Sequence, residues 1–210
     1  MQDQNCKICR RLGVKLFLKS DRCFSQKCAM IKRSYVPGQK KKRRQSSFSE
    51  YGKELREKQK LKRMYNLREV QFRKYVKEAL SSDKKIEKDP ALLLIKSLES
   101  RLDNVVFRFG FTSSRAQARQ LVSHGHFLIN GKSVNIPSYQ IKKGDIIIVK
   151  PKGLKKNIFQ NISLKLKNYK FPSWISFDIK NLEGKIIGEP SMEETVLPVE
   201  ISSIFEHYSR

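Results

Sequence analysis

Between Glu50 and Leu80 apolar side chains recur at three-and-four spacing, as Leu61, Met64 and Tyr65 and then Phe72, Tyr75, Val76 and Ala79. That is the period of an amphipathic helix. Ser49 can cap it, and Glu50 favours its first turn. Its polar face carries Lys53, Arg56, Lys58, Lys60, Lys62, Arg63, Arg68, Arg73, Lys74 and Lys77. Glu54 and Lys58 make an i,i+4 pair worth only a few tenths of a kcal/mol, and acidic residues are too few to neutralise the rest. A solvated face mixes its signs more evenly, so this face is expected to meet phosphate.

A second stripe begins at Asp89-Pro90, an N-cap with proline in the first helical position. Ile95, Leu98, Leu102, Val105 and Phe109 predict one core-facing helix that Gly110 ends, with Arg101 and Arg108 projecting together from one side. Thr112 and Ser113 open a short helix that runs to His124 and is closed by Gly125. The period then changes. Phe127–Ile129 reads as a strand, Asn130-Gly131 as a type I′ turn and Val134 to Ile136 as the returning strand. Gly144-Asp145 turns into a further strand from Ile146 to Lys150. Residues 95–150 therefore predict helix, helix and a small sheet. Arg115, Gln117, Arg119 and Gln120, with His124, Lys132 and Lys142, give it a positive, hydrogen-bonding surface. Such a shallow surface suits the minor groove and phosphates of an RNA helix.

Composition sharpens this picture. Forty-five Lys or Arg against 20 Asp or Glu leave a net charge of +25, while 39% apolar residues suffice for one or two small cores. A chain so charged repels itself unless a polyanion neutralises it, and nucleic acid is the first candidate. The charge is uneven: +17 over residues 1–90, +12 over 91–170 and −4 over 171–210. The acidic end carries Trp174, Ile175, Phe177, Ile179 and Ile186, so it has a core to fill; it can lie on the chain's own basic face or dock a basic neighbour. Residues 37–49, PGQKKKRRQSSFS, hold five consecutive cations, Lys40, Lys41, Lys42, Arg43 and Arg44. They predict an extended phosphate-binding arm or a flexible linker. No apolar run approaches the roughly 18 residues of a membrane span. The start MQDQNCKICRR has no apolar stretch behind its charges, unlike a secretory signal.

All four cysteines fall early, as Cys6-Lys-Ile-Cys9 and Cys23-Phe-Ser-Gln-Lys-Cys28. Two close pairs separated by a loop of this length match a four-thiolate structural zinc (Zn2+) site. Lys7, Arg10, Arg11, Lys15, Lys27 and Lys32 would offset its negative charge. Two disulfides, a redox pair, an iron–sulfur cluster and free thiols are the competing readings.

The stretch RLDNVVFRFGFTSSRAQARQLVSHGHFLINGKSVNIPSYQIKKGDIIIVK resembles the RNA-binding module named after bacterial ribosomal protein S-four. SEYGKELREKQKLKRMYNLREVQFRKY resembles the helical part peculiar to that protein, and WISFDIKNLEGKIIGEP with the terminal HYSR resembles its closing strands and tail. The four cysteines match the zinc-binding subset of that family. The chain departs from the pattern after Pro37-Gly38-Gln39, where Lys40-Lys41 replaces the family's His-Gly, and at Ile204-Phe205-Glu206-His207 near the end. The resemblance implies an α+β fold: a mainly helical N-terminal domain with a zinc knuckle, and an inserted RNA-binding module of two helices and a small antiparallel sheet. The expected divisions are 1–48, knuckle and basic arm; 49–93, helical domain; 94–152, RNA-binding module; and 153–210, strands and acidic tail packing back on the helical domain.

The resemblance further implies direct binding to small-subunit ribosomal RNA at a multi-helix junction of the 5′ domain and initiation of subunit assembly. It also implies contact with messenger RNA where that enters the channel, contact with neighbouring small-subunit proteins, and an influence on decoding accuracy. The expected RNA-facing set is Lys40, Lys41, Lys42, Arg43, Arg44, Tyr51, Arg56, Lys58, Lys60, Lys62, Arg63, Arg68, Arg73, Arg101, Arg108, Arg115, Gln117, Arg119, Gln120, His124 and Lys132. No membrane and no small-molecule substrate is expected. Location is expected in the small ribosomal subunit, in the cytoplasm of a bacterium or in an organelle that encodes its own ribosomal proteins. An enzyme is the weaker reading. His124 and His126 flank Gly125 as a metal or acid–base pair would, yet no carboxylate dyad, phosphate loop or nucleophile triad accompanies them. An RNA-modifying enzyme would need a catalytic domain the chain is too short to add. A non-ribosomal RNA-binding factor shares every feature above.

Overall fold

The computed structural model describes residues 3–38, 47–86, 89–151, 159, 162, 166, 169–179, 181–192, 194–195 and 197–209. Among them the helices are α1 (Asp3–Leu12), α2 (Ala29–Lys32), α3 (Glu50–Met64), α4 (Glu69–Ile86), α5 (Pro90–Glu99), α6 (Leu102–Arg108), α7 (Arg115–Ser123) and α8 (Ile201–Ser209), with a 3₁₀ turn at Asp21–Cys23. The strands are β1 (Phe127–Ile129), β2 (Lys132–Ser133), β3 (Ile146–Val149), β4 (Ile175–Asp178) and β5 (Glu183–Ile186). The fold is α+β, as expected. It divides into two compact units, residues 1–91 with 197–210, and residues 92–196. No helix among the described residues is long and apolar enough to cross a membrane.

The first unit is helical. The Ser49 hydroxyl accepts from the Gly52 amide and so caps α3. The single helix expected from Glu50 to Leu80 is two helices. Asn66 turns left-handed at φ +54°, and the Leu67 amide bonds back to the Lys62 carbonyl, a pattern that ends a helix. The break buries Leu67 and starts α4 as a separate helix. Leu61, Phe72, Val76 and Ile204 are fully buried, and α8 packs on α3 and α4.

The second unit also breaks an expected helix. Asp89 accepts from the Ala91 amide and starts α5, but Arg101 is extended at ψ 138° and bridges to Gln140. The Leu102 amide donates to the Tyr139 carbonyl and the Asp103 amide to the Pro137 carbonyl. Segment 137–141 thus supplies acceptors that the first turn of α6 otherwise lacks. For the same reason residues 134–136, expected as a returning strand, are not one: β2 is only Lys132–Ser133. Asn130 and Gly131 both have positive φ, 48° and 78°, as a type I′ turn requires.

The sheet runs β2-β1-β3-β5-β4 with every neighbour antiparallel. Phe127, Ile129, Ile147 and Val149 point into a core shared with Val105, Phe109, Val122 and the helical residues Phe159, Ile162 and Leu166. The expectation for residues 153–210 is corrected here. Of the strands at 175–186, β5 pairs with β3 of the module and β4 with β5, because β3 needs a second neighbour to satisfy its edge; residues 197–210, which include α8, belong to the helical unit.

Gly184 of β5 lies against the ring of Phe109, where an added Cβ would stand 2.2 Å from Cζ. The contact is with a fully buried ring that cannot step aside. Replacing Gly184 with Ala should therefore destabilise the second unit by about 1–3 kcal/mol, seen as a lower urea midpoint with an unchanged m-value.

Candidate nucleic-acid interface and metal centre

A buried carboxylate organises the second unit. Glu99, 0% exposed, receives both arms of the Arg108 guanidinium at 2.8 Å each. Asn104 Nδ2 donates to it at 2.7 Å, and Arg115 lies 3.8 Å away. Arg115 also donates to Asn104 Oδ1 at 2.7 Å and covers the Phe107 ring. Beside this, Arg101 is fully buried and grips Asp103 through two hydrogen bonds of 3.0 and 2.7 Å. Arg101 is thus turned inward and presents no outward face, while Arg108 and Arg115 keep 20% and 11% of their side chains exposed. Their charges are spent on buried acids, which unpaired would be very unfavourable.

The first unit repeats the device. Lys58 and Lys62, 8% and 7% exposed, reach the two oxygens of Glu69 at 3.0 and 2.6 Å. The Tyr208 hydroxyl, arriving on α8, donates to Glu69 at 2.7 Å. Lys58 and Lys62 are therefore internal as well. Glu54, expected to pair with Lys58, is buried with its carboxylate 3.8 Å from His207. Lys60 is paired with Glu57. Arg56 donates to the Leu12 carbonyl at 3.2 Å and lies over the Phe48 ring, tying α3 to the end of α1.

What remains outward is a smaller set. Tyr51, Arg63, Arg68 and Arg73 are exposed in the first unit; Gln120, His124 and Lys132 are exposed in the second, where Gln117 and Arg119 are half-buried. His124 ends α7, whereas His126 is buried against Phe159. Lys142 and Lys143 are exposed on the turn before β3. Lys40, Lys41, Lys42, Arg43 and Arg44 lie outside the described residues.

The cysteine segment folds so that both pairs meet. Cys6 and Cys9 sit one turn apart on α1, Cys23 ends the 3₁₀ turn, and Cys28 precedes α2. All four are free thiols and line one cavity of about 10 Å³, room for a single ion or water. The Lys19 amide donates to Cys23 Sγ at 3.2 Å. Burial pushes the Cys9 and Cys23 thiols up. Lys19 also lines the cavity, and its buried ammonium has no hydrogen-bond partner among the described residues. A tetrathiolate–cation centre is net negative, so an unanswered ammonium in its wall fits one. Among the described residues no three His, Cys, Asp or Glu side chains already stand as a metal-holding group. Lys19 was not singled out from the sequence, since nothing local marks one lysine among so many as buried.

Residues 1–99 match the family described as "Ribosomal protein S4/S9 N-terminal domain", and residues 100–147 match "S4 domain". The chain is 46% identical over 205 residues to small ribosomal subunit protein uS4 of Natranaerobius thermophilus, covering 98% of this chain and 96% of the relative. It is 48% identical over 206 residues to uS4 of Caldicellulosiruptor saccharolyticus, at 98% and 97% coverage. With uS4A of Clostridium novyi the identity is 48% over 205 residues, at 98% and 96%. The chain belongs to the uS4 family. A family of structural ribosomal proteins leaves no catalytic role for the two histidines.

Within this uS4-family chain the Glu69 cluster sets an acid limit. Burial raises the Glu69 carboxyl, but hydrogen bonds from Lys62, Tyr208 and Lys58 outweigh it and hold the group at about 2, against an ordinary 4.5. The folded state thus binds this proton less readily than the unfolded chain does. The resulting stability is complete above pH 4.5 and is lost as pH falls towards 2. Its size is modest, because the Glu69 side chain is 42% exposed and partly screened by water. Urea midpoints measured across that window should fall with pH in the wild type. They should fall less steeply in Glu69→Gln, and an identical slope would show that the cluster does not act this way.

Proposed function

We propose that this protein binds small-subunit ribosomal RNA directly, at a multi-helix junction of the 5′ domain, and holds that RNA in a form on which the subunit assembles. The observation that carries this reading is how the acids are used. Glu54, Glu69 and Glu99 are drawn to internal partners, while Arg63, Arg68 and Arg73 stay exposed on α3, α4 and the turn between them. Cations left over in this way release counterions from phosphate and give affinity that falls with salt. Two basic units in one chain suit recognition of a folded junction by shape more than by base reading.

The protein works within the small ribosomal subunit, in the cytoplasm, beside other ribosomal proteins, with the acidic end of the chain as the surface for a basic neighbour. Contact with messenger RNA where it enters the channel, and an influence on accuracy, belong to the same proposal through the family resemblance. Zinc belongs to it too. Cys6, Cys9, Cys23 and Cys28 would hold the ion, which needs four thiolates and displaces their protons. Its part is to fix a segment with little core of its own; among the described residues its apolar cluster is Cys9, Leu12 and Leu16, with Cys23 and Cys28 buried beside the cavity.

Two measurements test this. Replacing Arg63, Arg68 and Arg73 together with Ala should weaken binding to small-subunit ribosomal RNA and reduce the slope of log affinity against log salt by about three. Unchanged affinity and slope, or a wild-type chain that sediments apart from small subunits, would refute the reading. Purified protein should contain about one zinc per chain, and chelation should raise amide exchange across residues 3–38 while sparing residues 92–151. Much less than one zinc, with the segment equally protected, would remove the metal.

A further inference from the structure

We propose that Phe17 and Phe24, in the cysteine segment, form a platform on which unpaired RNA bases stack. The inference rests on the RNA-binding reading and adds a second kind of contact to it. Both rings are in water, 39% and 67% exposed, with centroids 5.1 Å apart and planes inclined by 30°. Their mutual contact leaves much of Phe24 uncovered. Large apolar surface held out in this way marks an interaction site more often than a monomer's skin.

The backbone holds Phe17 in this position. Its φ is +52°, a region bulky L-residues rarely adopt and keep only where their surroundings impose it. Leu16 on one side is buried at 3% and packs with Cys9 and Leu12. A chain that sends Leu16 inward and turns left-handed at the next residue leaves the Phe17 ring outside.

The surroundings select the occupant. Lys15 Nζ lies 5.2 Å from the centre of the Phe17 ring, and Arg22 and Lys27 are exposed in the same short segment. Residues 1–38 hold nine Lys or Arg against two Asp and no Glu. Aromatic faces among cations are the combination that single-stranded nucleic acid meets: bases on the rings, phosphates on the charges. An apolar protein partner would have to bring its own acids to such a surface.

Stacking and phosphate contact leave different traces. Each base stacked on an aromatic ring contributes roughly 5- to 150-fold in affinity without releasing counterions, so it does not enter the salt slope. With the full chain and small-subunit ribosomal RNA, Phe17→Leu and Phe24→Leu, which keep an apolar side chain, should each bind about tenfold more weakly with the salt slope unchanged. Phe24→Trp should retain affinity, and Lys15→Gln should lower the slope. Independently of any substitution, irradiating the wild-type complex made with 5-bromouridine-substituted RNA should cross-link the peptide spanning residues 16–27. Leu variants that melt and bind like the wild type, a loss of affinity matched by a shallower slope, or cross-links confined to other peptides would each overturn the platform. Variants that bind RNA normally yet fail to join assembling subunits would assign the rings to a protein neighbour and overturn it too. A wild-type chain that binds no RNA would sink the RNA reading itself, and the platform with it.

Discussion

The carboxylate of Glu99 is out of water, and an ionised acid there is tolerable only when cations and donors surround it. Its partners come from elsewhere in the fold: Asn104 and Arg108 from α6, and Arg115 from the start of α7. They can converge only if α5 stops at Glu99 and the chain turns before α6 begins. The extended Arg101, which itself pairs with buried Asp103, makes that turn. One charge therefore dictates how three helices meet, and the sheet is laid against the core they enclose. Removing any one partner would leave the others buried and unanswered, which is more unfavourable than never having made the network.

The helical unit answers the same physical demand at Glu69, with Lys58 and Lys62 from α3 and Tyr208 from α8. In both units the scarce acids are turned to structural use. Each carboxylate taken up in this way also holds one or two cations, as Lys58 and Lys62 on Glu69 and Arg108 and Arg115 beside Glu99, so the outward cations are fewer than the net charge of +25 alone suggests. Structure and function draw here on the same fact. The acids that organise the helices pair elsewhere, and Arg63, Arg68 and Arg73 stay exposed.

The cysteine segment solves a different problem. It has four thiols, one small apolar cluster and many cations, too little to hold a shape by burial. Bonds to a metal would provide that shape locally. A segment held from within by thiolates can then present Phe17 and Phe24 outward without needing them for its own core.

Much of the local architecture was legible in the residues themselves. The Ser49 and Asp89 caps, the Asn130-Gly131 turn, β1, β3 and the paired cysteines depend on neighbours within a few positions, and backbone geometry and hydrogen bonding are local at that range. The helix ends at Tyr65–Arg68 and Ser100–Arg101 were not legible, because the apolar stripe runs unbroken across both while the bonds that stop it come from packing and from segment 137–141. Nor were the roles of the cations. A helical pattern puts Lys58 beside Lys62 and Arg101 in register with Arg108, but a charge is spent or left free according to the acid it meets, and Tyr208 reaches Glu69 across 139 residues of chain. Sequence alone determined the caps, the tight turn, the strands β1 and β3 and how much charge the chain carries. Tertiary structure decided where that charge points, since pairing and burial depend on distances in space that no local period contains.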